Sequence, residues 1–394
     1  GEDGSINPEL VGVHNRLTDN HQILSSELGD QNESGPGNEV LIGHGESTNY
    51  LRVGGGDDHL IASENDRLYG GEGDDVLHAA EGAQLYGEAG DDVLHAADGA
   101  RLYGREGNDT YRFDKGAGVA TIYHSAGSDV GTLAFGGGIS VSDLELTKDG
   151  DHLQVRVGDE GLNVDDWFDG GDDQFAGFAF ANGESLSRSE LLSQKWVTNE
   201  VSGRGYGYGY EGRDRMTGSG SDRNTLYGRA GDDELFASEN DRLYGEAGDD
   251  VLHAADGATL YGGQGEDTYV VDSSDDGVEI NAESGSGDDS GDRARLQDAD
   301  PTELWFSRSS DHLLVDSLET GNRFQVNDWY RGSENQLAEL EAGDSVATTE
   351  QLEKLVTAMA EFESPAANGS SGGMPENIRN ELESTIAANW SSIA

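Results

Sequence analysis

Seven aspartates recur where a glycine-rich turn hands over to a short apolar run, and these are the residues of the chain best placed for chemistry. Asp58, Asp75, Asp92 and Asp109 stand 17 residues apart, and Asp233, Asp250 and Asp267 repeat that interval far downstream. Glycines precede each of them, one always two residues before and another four or five before. Gly54 and Gly56 lead to Asp58, Gly70, Gly71 and Gly73 to Asp75, Gly87 and Gly90 to Asp92, and Gly104 and Gly107 to Asp109. Downstream, Gly228 and Gly231 lead to Asp233, Gly245 and Gly248 to Asp250, and Gly262 and Gly265 to Asp267. Glycine lets a turn take positive φ and brings backbone carbonyls close to a ligand. Carboxylate and carbonyl oxygens are hard donors, which suits Ca²⁺ better than zinc or copper, and a chain without cysteine offers no soft-metal site. Stacked carboxylates repel unless a cation lies between them, so the expected ion positions are the gaps between successive loops.

The elements that hold these aspartates follow from the same period. Leu68, Leu85 and Leu102 share the 17-residue spacing, Leu51 to Arg67 forms an earlier unit, and Leu226 begins a second series. Gly70 to His78 gives the cleanest match to G-G-x-G-x-D-x-U-x, with U a large apolar residue, the signature of a calcium-binding parallel β-helix. The three residues after each turn form a short strand, with Leu77 inward and Val76 and His78 outward. Leu60, Leu77, Leu94 and Tyr111 then stack as one inner column, and Leu51, Leu68, Leu85 and Leu102 as the opposing one. Two leucine ladders make a thin core, too little to offset the ordering entropy of so glycine-rich a chain, and bound cations have to supply the difference. Each unit divides as nine plus eight residues, and only the nine-residue half keeps the aspartate; Ala83 and Ala100 occupy the other turn, with Asp66 and Asp241 as partial exceptions. Calcium is therefore expected along one edge only.

Composition sets the outer bounds. The 394 residues carry 79 acidic and 24 basic side chains, a formal net charge of −55, with 59 glycines. That charge argues against nucleic acid or an anionic membrane as a direct partner and for a soluble, self-repelling monomer. No cysteine framework stabilises the chain, although an extracellular or cell-surface location is expected. No apolar run reaches membrane-spanning length, no signal peptide opens the chain, and Gly1 rather than Met suggests a piece of a longer protein. No HExxH, P-loop or dinucleotide fingerprint occurs, and His44 in GHGES lacks the order of a nucleophile elbow, so no enzymatic activity is expected.

The predicted fold is all-β, with two parallel β-roll blocks, each followed by a β-rich companion, and a short helical tail. The expected organisation is a flexible lead-in or cap over 1–50, a first roll over 51–113, a companion over 114–195, a linker over 196–225, a second roll over 226–271, a second companion over 272–350 and a helical tail over 351–394. Leu144, Leu146, Leu153, Val155, Trp167 and Phe168 recur as Leu304, Phe306, Leu313, Val315, Trp329 and Tyr330, so roll and companion were duplicated together. The companion is expected to cap the open edge of its roll, with the tryptophans in its core rather than serving as sugar platforms. His78 and His95, and the tyrosines at 69, 86, 103, 227, 244 and 261, read as outward ladders that stiffen the sheet. Leu352, Leu355, Val356 and Met359, then Ile378, Leu382, Ile386 and Trp390, follow helical spacing.

The repeats resemble those of the RTX, or haemolysin-type calcium-binding, proteins of Gram-negative bacteria, and NDTYRF and EDTYVV resemble the usual last repeat. QLEKLVTAMAEF and TIAANWSSIA resemble the tails of that family, which implies type I secretion through an uncleaved C-terminal signal. The resemblance implies a secreted calcium-binding module that folds outside the cell and supports export and stability of the protein carrying it. Two alternatives remain open at this level: an adhesin or surface-layer module that binds glycans or cells, and the C-terminal part of an RTX toxin or hydrolase. Asp300-Pro301 matches a bond that some relatives cleave, but it is expected here only to start a strand.

Overall fold

A computed structural model describes residues 23–25, 32–33, 37–43, 48–123, 131–168, 175–202, 204–220, 223–282, 291–365 and 373–393. The chain divides into two compact units, Gly1–Leu191 and Leu192–Ala394. His44 lies outside the described residues.

In the first unit the 17-residue period winds the chain back and forth between two parallel sheets. Strands Val40–Ile42, His59–Ile61, Val76–His78, Val93–His95 and Thr110–Phe113 form one sheet, with Leu41, Leu60, Leu77, Leu94 and Tyr111 in direct register. Tyr50–Arg52, Arg67–Glu72, Gln84–Ala89 and Arg101–Glu106 form the other, with Leu51, Leu68, Leu85 and Leu102 in register. Each three-residue strand alternates partly exposed, buried, partly exposed at 59–61, 76–78 and 93–95, and all these column residues are fully or almost fully buried. The core is thus two facing stacks one side chain deep.

The first roll begins earlier than the repeat suggests. Val40–Ile42 is a rung in register with His59–Ile61, and Ile23–Ser25 pairs with it in turn, so these parts of the expected lead-in or cap join the roll as strands. A free parallel edge offers unpaired N–H and C=O groups to any apolar triplet upstream, and Val40-Leu41-Ile42 supplies one.

The companions also differ from separate domains. Val119–Ile122 pairs with the last rung of one sheet and then with Glu160–Val164, while Gly131–Phe135 pairs with Thr110–Phe113 and then with Phe175–Phe180. Both sheets therefore run on through 114–180, because strand alternation outlasts the glycine turns. What the companion adds is the antiparallel set Glu145–Asp149, His152–Val157 and Glu160–Val164, and a helix, α1 (Arg188–Gln194), follows. Trp167 is buried against Phe175 and Phe178.

In the second unit, the stretch expected as a linker is part of the roll. Val197–Ser202 pairs with Asp214–Ser219 over six positions, and Tyr206–Tyr208 pairs with Thr225–Ala230. Tyr-Gly-Tyr is a period-two strand whose inward residue has no side chain. A methyl at Gly207 would collide with Val201, Met216 and Leu226, so glycine here makes room for the core rather than for flexibility. The inner columns run Met216, Leu235, Leu252, Tyr269 and Leu226, Leu243, Leu260, Ile280. They continue into Ala294 and Leu340 on one side and Val326 on the other, followed by the antiparallel strands Leu304–Ser309 and His312–Ser317.

The tail forms α2 (Thr349–Met359) and α3 (Glu376–Asn389). Thr348 and Gln351 make a capping box that starts α2, with the Thr348 N–H donated to Gln351 Oε1 at 2.8 Å. Leu352, Leu355, Met359, Leu382 and Ile386 are buried in the same core as Phe306 and Trp329. Trp329 Nε1 donates to Glu353 Oε1 at 2.5 Å, and Arg379 pairs with Glu303. No described helix is long and apolar enough to cross a membrane.

Candidate metal centre

The seven aspartates come together as two ladders along one edge of each roll, all of them fully or almost fully buried. The linkage is the same at each rung: the backbone N–H of one aspartate donates to Oδ1 of the aspartate one turn later. The distances are 2.7 Å from Asp58 to Asp75, 2.8 Å from Asp75 to Asp92 and 3.1 Å from Asp92 to Asp109. Glu39 N–H starts the series on Asp58 at 2.5 Å. In the second unit Asp233 to Asp250 is 2.8 Å and Asp250 to Asp267 is 2.9 Å.

Sequence reasoning stopped one residue short at both ends of the second ladder. Asp214 N–H donates to Asp233 Oδ1 at 2.8 Å, and Asp267 N–H donates to Asp292 Oδ1 at 3.0 Å, with both added aspartates buried. Gly209-Tyr210-Glu211-Gly212-Arg213-Asp214 repeats the spacing of Gly228 to Asp233, a signal hidden by a 19-residue interval in place of 17. A second, exposed ladder was also missed: Asp74 and Asp91 N–H donate to Asp57 and Asp74 Oδ1 at 3.2 and 2.9 Å, as Asp249 does to Asp232 at 3.1 Å. The Asp-Asp doublet in the turns is its sequence mark.

Glycine placement explains the shape of the cradle. At Gly70, Gly87, Gly104, Gly228, Gly245 and Gly262 a methyl would strike Oδ2 of the aspartate five residues on, and at Gly70 and Gly245 it would also sit 2.5 Å from the carbonyl oxygen of the next rung's glycine. Gly56, Gly73, Gly90, Gly107, Gly231, Gly248 and Gly265 all have φ between 116° and 138°. Gly73 lies over the carbonyl of Gly56, and the later members of that series repeat this one turn apart. Gly71 stands over Gly54, whose carbonyl accepts the Glu72 N–H at 3.0 Å. Glu88, Arg105, Arg229 and Glu246 take the place of Gly71 at φ of 79° to 82°, a left-handed conformation in which a side chain is strained.

Each buried carboxylate thus spends one oxygen on the backbone ladder. Oδ2 of Asp58, Asp75, Asp92, Asp233, Asp250 and Asp267 is buried with no hydrogen-bond donor. Burial pushes these acids up, to about 6 at Asp75, about 7 at Asp58 and Asp267, about 8 at Asp92 and Asp233 and about 9 at Asp250. The donated N–H pulls each one down, and neighbouring carboxylates raise it again. A row of desolvated oxygens beside backbone carbonyls fits a hard divalent ion, with the Arg213 guanidinium offsetting part of the charge at Asp233. Ca²⁺ held by these oxygens would supply two positive charges to offset the repulsion between the carboxylates.

The opposite edge is built differently. Ala83, Ala100 and Ala258 fill its buried turn positions. Its two aspartates are satisfied: Asp66 accepts Asn49 N–H at 2.6 Å and Ser63 N–H at 2.7 Å, and Asp241 accepts Asn224 and Ser238 N–H at the same distances. They brace their turns. The ring ladders are structural too. His78 and His95 stack at 4.0 Å and burial holds both near 4, hence neutral, while Phe236 and His253 repeat the stack at 4.2 Å. Asp300 caps the short turn Pro301–Glu303 by accepting Thr302 N–H at 2.8 Å.

The family model for the RTX calcium-binding nonapeptide repeat matches the chain in four copies, at residues 53–83, 84–100, 208–239 and 237–258. These stretches contain the turns of Asp58, Asp75, Asp92, Asp233 and Asp250, the turn of Asp267 lies beyond them, and the third reaches upstream to the turn that ends at Asp214. Haemolysin-type RTX calcium-binding repeats are therefore present in each of the two units, where they fold as β-rolls.

Proposed function

We propose that calcium-driven folding of these rolls serves export: a non-enzymatic module, threaded unfolded through a type I secretion channel by its C-terminal tail, folds outside the cell and stabilises the protein that carries it. The observation that carries this reading is the ladder of buried aspartate oxygens with no donor. With calcium scarce inside the producing cell, those oxygens and a formal charge of −55 oppose folding. Outside, calcium in the range typical of extracellular modules, roughly 0.1 to 1 mM, neutralises the turns, and binding free energy becomes folding free energy. Folding on the far side then opposes backsliding. The tail supports the same order of events, because α2 and α3 bury their apolar faces in the second unit and are accessible to a channel only before that unit folds.

Far-UV circular dichroism during a calcium titration, with magnesium as control, tests the reading. A cooperative gain of β signal with calcium alone is expected. Full β signal in chelator would sink the export role, since a roll that folds without calcium cannot be gated by it.

A further inference from the structure

In a chain with 24 basic residues against 79 acidic ones, three arginines gather in one concavity of the second unit without a carboxylate partner among the described residues. Arg204, Arg223 and Arg242, with Tyr206, Thr225 and Asn240, line an open cavity of about 700 Å³. Tyr206, Thr225 and Arg242 are in direct register on successive rungs. All three arginines are exposed, and none makes an ion pair within 4.0 Å among the described residues. Glu239, next to Asn240 in the chain, accepts from Asn240 Nδ2 at 3.3 Å.

The first unit shows what this corner looks like when it is closed. There Asn49, Tyr50 and Arg67 stand where the second unit has Asn224, Thr225 and Arg242, the two asparagines donating alike to Asp66 and Asp241. Arg67 lies over the Tyr50 ring at 5.3 Å, so its guanidinium is already occupied. In the second unit threonine replaces that ring, Arg223 replaces Thr48, and the tyrosine moves one rung out to position 206, where it is 68% exposed.

We infer that this concavity is a binding site for a short acidic saccharide, one bearing a carboxylate or sulfate group. Guanidinium forks recognise planar or tetrahedral oxyanions with paired N–H donors, which a lysine cannot reproduce. Thr225 and Asn240 offer a hydroxyl and an amide to neutral sugar hydroxyls, and the exposed Tyr206 ring offers a flat apolar face. Among the described residues the lining contains no aliphatic side chain, which disfavours a peptide anchored through an apolar residue. The volume lies within the usual range for small-ligand sites, about 300 to 1,000 Å³. The net negative charge of the chain limits the ligand to a short one, since screening over about 8 Å at physiological salt confines attraction to the arginines themselves.

The test is isothermal titration of the calcium-loaded full chain with a uronate-containing trisaccharide, a sulfated trisaccharide, a neutral trisaccharide and inorganic sulfate. At least one acidic sugar is expected to bind, the neutral one at least tenfold more weakly. Replacing Arg204, Arg223 and Arg242 together by Gln should weaken that binding at least tenfold, whereas the same change of charge at Arg101, Arg105 and Arg112 should leave it within twofold. Tyr206→Ala should weaken the sugar and leave inorganic sulfate unchanged. These side chains are exposed, and an unchanged calcium-dependent β signal verifies that each variant folds. No binding of either acidic sugar, equal binding of the neutral one, equal loss in the control triple or sulfate binding as tightly as the sugars would each overturn the proposal.

Discussion

Asp250 is the side chain at which the proposed calcium-driven folding is most directly tested. Its Oδ1 accepts the Asp233 N–H at 2.8 Å and its Oδ2 has no donor, so ionised and without calcium it is a buried charge flanked by Asp233 and Asp267. Asp250→Asn keeps the acceptor and removes the charge. The expected result has two signs: the variant is more folded than the parent in chelator, but its calcium midpoint rises about tenfold, the loss of one charged ligand at roughly 1.4 kcal/mol. Circular dichroism in chelator and in calcium reads both. Backbone strain gives an opposite case. Glu246 holds φ of 79° at a position where Gly263 and Gly71 hold 117° and 110°. Glu246→Gly is expected to stabilise the calcium-loaded second unit by about 1 kcal/mol, as relief of left-handed strain outweighs the extra freedom of the unfolded chain. A rise in thermal midpoint in saturating calcium checks it.

At the scale of the turn ladder, acid titration reports on all the aspartates together. Their folded-state values, about 6 to about 9, lie above the ordinary carboxylate value of 3.8. A raised acid binds its proton more tightly when folded, so its contribution to stability is present below about pH 4 and is lost as pH rises through the folded values. The calcium-free roll should therefore gain β signal as pH falls from 8 to 5, and calcium affinity should fall over the same interval because the ion has to displace those protons. Calorimetry at pH 7 in two buffers of different ionisation enthalpy should show net proton release on calcium binding. A β signal in chelator that falls on acidification would contradict this account of the ladder.

For the second unit as a whole, the tail is part of the fold. Leu355 is buried where α2 meets the core, and Leu355→Ala is expected to cost roughly 2 to 5 kcal/mol, the range for a deleted leucine side chain in a packed interior. The loss should appear in calcium melts of the isolated 192–394 stretch as a lower midpoint. Removing 376–394 should lower it further, because Phe306 would lose Trp390 and Glu303 would lose Arg379. If either change leaves the midpoint untouched, the tail is an appendage and its docking carries no stability.

The period of 17 made most of the roll legible before any coordinates. Strand placement, the inward leucines and the one-sided aspartate edge all follow from residues that repeat in register, because in a parallel stack identical positions must meet identical neighbours. Asp58 to Asp109 and Asp233 to Asp267 needed only spacing to be identified. What escaped was whatever broke the period while keeping the geometry. Asp214 sits behind a 19-residue step, Asp292 behind 25, and Gly207 resembled linker text although it packs in the core. Nor could spacing distinguish companions appended to the rolls from sheets that continue through them, since a strand edge accepts any apolar alternation that reaches it. Only the tertiary structure decided that Asp66 and Asp241 are satisfied while Asp75 and Asp250 are not: the same residue type in the same kind of turn is held at both oxygens or keeps one to spare according to whether backbone donors reach both of them.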